Sequence, residues 1–453
     1  MSEALTLARL MEAGAGLDRT IATRDCVLRL DDFALNTSLG ADLPRLEGRS
    51  VVLAVSDMTK AAAALIELDG LARRIVLCPP SLDMRGLDAL ARHAEADALV
   101  HDGDAPAPEA SFDVVAACRL PLSPLEAERA RRFVTEWVMP TSGTSGPPKL
   151  VAHTILTLTG AFQPAGAQRW ATFYDIRRYG GLQILLRALS GTESLTLSTP
   201  GESVDAFLVR LGEAGVKHIS GTPSHWRKVL MSAKAHCIDP DAVRFSGEIA
   251  DDAVLASLKA LYPRARIEHA YASTEAGVAF AVADGRAGFP ASLVEASGGD
   301  VAMKVVEETL RIRSNRTALR YLGRGAPALH DADGFVDTGD VVERRGDRYL
   351  FAGRRGGVIN VGGAKVHPEE VEATLNAHDA VRASRVFARK NPITGALVAA
   401  EVVLREGVVA REGLEAEILS ACRAALPAHK APSFLRVVAE LPITEGGKLA
   451  RHG

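Results

Sequence analysis

At 453 residues, 47% of them hydrophobic and 24% charged, the chain has the composition of a soluble globular protein and is too long for one hydrophobic core, so two or three domains are expected. A net charge of −3 excludes a general field that would draw in nucleic acid or anionic lipid. No stretch approaches the roughly 20 apolar residues that span a bilayer.

The N-terminal MSEALTLARLMEAGAG has an early acidic residue and no long apolar run, unlike a secretory signal. Cys26, Cys78, Cys118, Cys237 and Cys422 lie far apart with no C-x-x-C pair. That speaks against a zinc site or a disulfide framework and for thiols in a reducing, cytoplasmic setting.

Along the chain, SVVLAVSDMTKAAAALIELDGLARRIVLCPP (50–80) predicts strand, helix and strand: two short β-branched runs flank an Ala/Leu-rich segment. LDALARHAEADALVHDG (87–103) adds a helix and a strand, so a parallel sheet covered by helices is expected. Residues 102–111, DGDAPAPEAS, have the composition of a surface loop.

Between a predicted strand, FVTEWVM, and the run KLVAHTILTLTGA lies MPTSGTSGPPK. Its hydroxyls, glycines and lysine suit an anion cradle of bare N–H groups and a cation, and a solvated turn would equally account for such a run taken alone. Helix and strand then alternate through GGLQILLRALSGTESLTLS and VDAFLVRLGEAGVKHISGTPSHW.

HAYASTEAG (269–277) follows an apparent strand. There Tyr271 can stack on a flat base, Thr274 can donate to phosphate and Glu275 can hold a hard cation. Alternatively, it is a strand-to-loop turn with a solvated carboxylate.

From about Asp300 the pattern changes to short strands with Asp-Gly and Gly-Asp turns. DTGD (337–340) offers a carboxylate on a tight turn for a pair of vicinal hydroxyls, or else a polar hairpin turn. FAGRRGGVINVGGAKVHPEEVE (351–372) pairs basic residues with glycine doublets and ends in a proline-started helix, which a flexible linker also explains. A small α+β segment follows, and LPITEGGKLAR (441–451) carries a lysine near the end.

In this order and spacing the motifs resemble those of the adenylate-forming superfamily: acyl- and aryl-CoA synthetases, luciferase-like enzymes and carrier-protein adenylation domains. The resemblance covers the chain from about Val51 onward. It implies an α/β fold with a large multi-subdomain N-terminal domain of helix-covered sheets and a β-rich section (1–355), plus a small mobile α+β C-terminal domain (356–453). It implies that a carboxylic acid, ATP and Mg²⁺ give acyl-AMP and pyrophosphate, followed by transfer to CoA or to carrier-protein pantetheine.

Carried over residue by residue, the resemblance puts Thr141, Ser142, Gly143, Thr144, Ser145, Gly146 and Lys149 around the β- and γ-phosphates. Thr274 would touch the α-phosphate and Glu275 would bind Mg²⁺. Tyr271 would stack on adenine opposite Gly247 and Glu248, and Asp340 and Arg354 would hold the ribose, with Lys365 also near the nucleotide. Lys448 matches the catalytic lysine, Gly356 the hinge, and Gly362 and Gly363 the pantetheine path. Arg178, Gly180 and Gly181 fall at the acyl pocket, where many relatives have His-x-x-Gly-Leu. Arg177 and Arg178 could meet a second anionic or hydroxyl group of the acid, face solvent, or pair with the protein's own carboxylates.

The sequence departs from the family's pattern at four places. Gly356 replaces an acidic residue or lysine, Ala272 replaces a glycine, and Lys365 stands in place of arginine. The stretch before the phosphate loop is short, which implies a trimmed N-terminal subdomain.

The leading expectation is a cytoplasmic acid–CoA ligase with no nucleic-acid partner. The alternatives are the same adenylation with a carrier-protein acceptor and a catalytically decayed nucleotide-binding protein. A P-loop NTPase fits less well, because GTSGPPK lacks the Gly-Lys-Ser/Thr ending.

Overall fold

The computed structural model describes residues 5–442 apart from 79–83, 104–111, 127, 130, 142–148, 161, 163–167, 297–298, 362–363 and 392–394. The expected strand–helix–strand unit is present as Ser50–Ala54, Met58–Leu68 and Arg74–Leu77, the two strands being parallel. Asp57 starts the helix by accepting the Lys60 N–H on its side chain at 2.8 Å, a standard N-cap. All but one residue of this helix is buried, which explains its lack of a polar face.

These strands lie within a seven-stranded sheet whose order runs Arg320–Leu322, Leu150–His153, Glu136–Pro140, Arg74–Leu77, Ser50–Ala54, Ala98–His101, Val114–Ala117. The last five are parallel; Leu150–His153 runs antiparallel to Glu136–Pro140. The Thr141 N–H donates to the Lys149 carbonyl at 2.8 Å and continues that pairing.

A second, eight-stranded sheet is parallel through Arg266–Ser273, Ala242–Phe245, His218–Gly221, Arg169–Thr172, Ser194–Leu197 and Thr20–Ala22, with an antiparallel strand at each edge. The helices Met58–Leu68 and Tyr179–Ser190 share one core with both sheets: Leu53 and Leu65 belong to the same buried cluster as Leu182, Leu185 and Leu197. The second sheet's outer side has its own core, centred on Phe207, Trp226, Val243 and Leu258.

The β-rich section is a five-stranded antiparallel sheet that includes Thr309–Ser314, Val336–Arg345 and Arg348–Arg354. Residues 337–340 do not form a hairpin turn. They lie inside the long strand, where the five residues from Asp337 to Val341 oppose the three from Arg311 to Thr309. The surplus is thrown out as a bulge, with Gly339 at φ +69°.

Beyond Arg354, Ile359–Val361, Ala364–Val366, Val381–Asn391, Gly395–Leu404 and Phe434–Val437 form a separate sheet. It packs with the helices Pro368–Asn376 and Leu414–Ala425 around a core of its own. The Asp102–Ser111 loop expected from composition lies, from residue 104 on, outside the described residues.

Candidate active site

A cleft of about 2100 Å³ opens where the ends of the eight-stranded sheet, the antiparallel sheet and the C-terminal sheet meet. Thr141, Lys149, Arg178, Gly180, Gly181, Gly247, Glu248, Tyr271, Thr274, Glu275, Asp340, Arg354 and Gly356 border it. Lys365 is exposed on the strand Ala364–Val366 and does not border it. Ser142, Gly143, Thr144, Ser145, Gly146, Gly362, Gly363 and Lys448 lie outside the described residues.

One wall is aromatic. The ring of Tyr271 runs nearly parallel to those of Phe280 and Phe351, with centroids 5.6 and 5.3 Å away, and all three rings border the cleft. The Tyr271 hydroxyl donates to Asp340 Oδ2. Burial, reinforced by this carboxylate, pushes the Tyr271 hydroxyl well above its ordinary range, so it stays a donor.

Asp340 Oδ1 accepts from Arg354 Nε at 2.9 Å, its partner across the ladder. The bulge before it lets Thr338 accept the Asp340 N–H at 3.1 Å. The carboxylate is thus oriented from two sides while the Arg354 side chain stays 46% exposed.

A second wall is the turn after Arg266–Ser273. His153, fully buried, donates from Nε2 to the Thr274 carbonyl at 2.7 Å. Burial pulls this imidazole down to about 4 against the opposing effect of that hydrogen bond, so the ring is neutral near pH 7. The Ala318 N–H donates to the Glu275 carbonyl at 2.9 Å. Gly277 closes the turn at φ +74°, where a Cβ would come within 2.4 Å of the Arg316 carbonyl. Only glycine fits both the conformation and the space.

Among the described residues the Glu275 carboxylate has one long contact, 3.5 Å from the Tyr321 hydroxyl, and Lys149 Nζ sits 4.8 Å from the centre of the Tyr321 ring. Lysine, tyrosine and glutamate therefore form a row.

The third wall comes from the loop entering the helix Tyr179–Ser190. Arg177 is buried and pairs with Asp175 at 2.7 Å, so of the readings open for it, the one using the protein's own carboxylate holds. Arg178 is the helix N-cap residue and borders the cleft. At Gly181 a Cβ would lie 2.2 Å from the Asp175 carbonyl, which only glycine avoids. Glu248 accepts the Ser224 N–H at 2.9 Å and the Ser224 hydroxyl at 3.0 Å, which anchors the Gly247–Glu248 segment to the helix Pro223–Met231. The Tyr174 hydroxyl accepts the Ser246 N–H at 2.9 Å and braces the same segment.

At the far edge, Arg355 donates to Thr309 Oγ1 at 2.7 Å and pairs with Asp337 at 3.1 Å, next to Gly356 in the turn Arg355–Gly357. His153, Tyr321, Phe280 and Phe351 did not emerge from sequence reasoning. The only signal was proximity: His153 and Phe351 sit within or beside motifs already quoted.

Residues 52–318 match the family of AMP-binding enzymes and residues 370–448 match the AMP-binding enzyme C-terminal domain. The chain is 28% identical, over 99% of its length, to an isonitrile lipopeptide synthase of Streptomyces coeruleorubidus, and covers 31% of that protein. It is 29% identical, over 54% of its length, to the acyl-CoA ligase ppsA of Aspergillus oryzae, covering 49% of it. The chain thus spans half or less of these relatives' own lengths. Its fold is that of an anthranilate CoA ligase, AuaEII, in complex with anthranoyl-AMP: TM-score 0.81 at 19% identity, covering 99% of this chain and 96% of the other. Among the described residues no helix is long and apolar enough to cross a membrane.

Proposed function

This chain belongs to the AMP-binding enzymes of the adenylate-forming superfamily, and on that premise we propose that it activates a carboxylic acid with ATP and passes the acyl group to the thiol of CoA. The observation that carries this reading is the pairing of two walls in one cleft. Asp340, held by Tyr271 and Arg354, presents a fixed acceptor beside three aromatic rings, which suits a nucleoside. Lys149 and Glu275 stand near one another by Tyr321, which suits phosphates and a divalent cation.

The chemistry needs this division. In the first half-reaction a carboxylate oxygen attacks the α-phosphorus, the bond to the bridging oxygen breaks, and pyrophosphate leaves. Two anions must meet, so cations and N–H donors have to be in place before they do. Lys149 and the 142–148 loop would neutralise the departing pyrophosphate, with Thr274 at the α-phosphate.

In the second half-reaction the thiol sulfur attacks the acyl carbon, the carbon–oxygen bond to AMP breaks, and the thiol proton goes to solvent. Lys448 would serve the first step alone, bridging acid and α-phosphate. Such a switch needs a long flexible cation on a part that moves.

Magnesium fits the residues present. Among the described residues one Glu275 oxygen accepts no hydrogen bond, and no cluster of three or more His, Cys, Asp or Glu exists. One carboxylate plus phosphate oxygens and water is the usual arrangement for this ion. Bound there, it would offset phosphate charge.

A carrier-protein pantetheine is the second acceptor, favoured by the match of nearly the whole chain to under a third of a lipopeptide synthase. The test is pyrophosphate release from Mg·ATP over a panel of carboxylic acids, with and without CoA. Acid-dependent release that turns over repeatedly only with CoA is expected. Release that CoA fails to accelerate points to the carrier protein. Silence across the panel, with ATP still bound, leaves a nucleotide-binding protein without the chemistry.

A further inference from the structure

Two consecutive arginines at the entry to the helix Tyr179–Ser190 stand in opposite states. The guanidinium of Arg177 is consumed by the protein: Nε and Nη2 donate to Asp175 at 2.8 and 2.7 Å, and Nη1 donates to the carbonyls of Val55 and Ser56 at 2.6 and 2.8 Å. Arg178 makes no ion pair among the described residues, and its ε-NH is cut off from water with no acceptor. Its side chain borders the cleft.

Several carboxylates that border the cleft or flank this helix entry already have partners of their own. Asp175 is held by Arg177, Glu248 by Ser224, Asp251 by Arg227 at 2.6 Å, and Asp340 by Arg354. The next two residues after Tyr179 are glycines, which bring no side chain to the wall beside the guanidinium. The first-turn N–H groups of the same helix add the positive end of its dipole.

We propose that Arg178 is the specificity-determining residue of the acyl pocket and that the preferred acids carry a second carboxylate. One carboxylate goes to the α-phosphorus, and the other pairs with the terminal N–H groups of the Arg178 guanidinium through two parallel N–H···O bonds. A guanidinium suits this better than an ammonium, because its planar fork matches both carboxylate oxygens. The inference rests on the adenylation reading above.

The test uses matched acids that differ only in a second carboxylate: butyrate against succinate, pentanoate against glutarate, benzoate against benzene-1,2- and benzene-1,4-dicarboxylate. Acid-dependent pyrophosphate release gives kcat/KM for the wild type, Arg178→Met and Arg178→Lys. The wild type is expected to prefer at least one dicarboxylate over its partner, and Arg178→Met to lower that preference on the order of 10–100-fold, as for a charge-assisted pair. The loss should fall mainly on KM and be larger for the diacid than for its monoacid partner. Arg178→Lys should recover part of the preference, and it serves as the probe if the methionine variant fails to fold.

Wild-type preference for the monoacid in every pair overturns the proposal. So does an equal loss for both members of a pair, the pattern of a merely structural arginine. Silence with every acid, mono or di, overturns the adenylation reading itself and the substrate assignment with it.

Discussion

His153 carries no charge into the cleft, yet the position of Thr274 depends on it. The imidazole donates to the Thr274 carbonyl, also contacts the Thr157 hydroxyl at 2.9 Å, and is fully buried. Its folded-state value of about 4 lies below the ordinary 6.5, because burial penalises the cation. The unfolded chain therefore binds the proton first. Stability from this group is complete above pH 6.5 and drains away as the pH falls toward about 4, worth roughly 3 kcal/mol at most.

His225, partly buried and also held near 4, acts in the same window and the same direction. Melting temperatures measured between pH 7 and 4 should thus fall steeply for the wild type. His153→Gln, which keeps a donor for Thr274 and cannot be charged, should show a shallower slope that is not flat. Parallel slopes would remove His153 from the account. A sequence shows that a histidine exists but not that it is buried. Thr274 lies 121 residues further on, so neither the contact nor the depressed pKa was legible. Tyr271, Glu275, Asp340 and Arg354 were legible as candidates because each sits in a short motif of fixed chemistry, and the structure brings all four to one cleft.

At the scale of elements, the alternation of β-branched runs with Ala/Leu-rich runs was enough to predict helix-covered parallel sheets. Local period carries that signal, and tertiary contact is not needed to see it. The bulge at 337–340 was not legible, since Asp-Thr-Gly-Asp has the composition of a turn and only the count of residues on the partner strand reveals a bulge. Nor was the difference between two adjacent glycines.

Gly180 and Gly181 look alike in sequence, but their surroundings differ. A Cβ on Gly180 would meet the Tyr174 ring at 3.6 Å, ordinary contact, whereas one on Gly181 would strike the Asp175 carbonyl at 2.2 Å. Gly181→Ala must push apart the helix start and the Asp175 loop, and should destabilise the protein by about 1–3 kcal/mol. Gly180→Ala should be neutral or slightly stabilising, because alanine restricts the unfolded chain and favours the helix. Urea unfolding of both variants checks the pair. Equal midpoints would mean that the loop yields without cost.

For the whole molecule, the proposed function raises the question of how one cleft would serve two reactions with opposite needs. Joining two anions calls for a cation at the acid, and letting a thiol reach the acyl carbon calls for that cation to be gone. The C-terminal sheet has its own buried core, including Val371, Val386 and Ile418, and follows a short turn at Arg355–Gly357, so it has the independence of packing that a moving part requires. The Arg355 contacts to Thr309 and Asp337 lie on the near side of Gly356 and would anchor one end of a rotation.

On the proposed division, Lys448 belongs to adenylation alone. Lys448→Ala should then cut acid-dependent pyrophosphate release by about 100-fold or more, the scale of removing one charged stabiliser of a transition state. Thioester formation from supplied acyl-AMP and CoA should stay within a few-fold of wild type. Because both rates are read on one purified variant, misfolding would depress them together, whereas the proposed role depresses one. Equal loss in a variant that still binds ATP and melts like the wild type would mean that a single arrangement of the two parts serves both steps, and the rotation about Gly356 would have nothing left to explain.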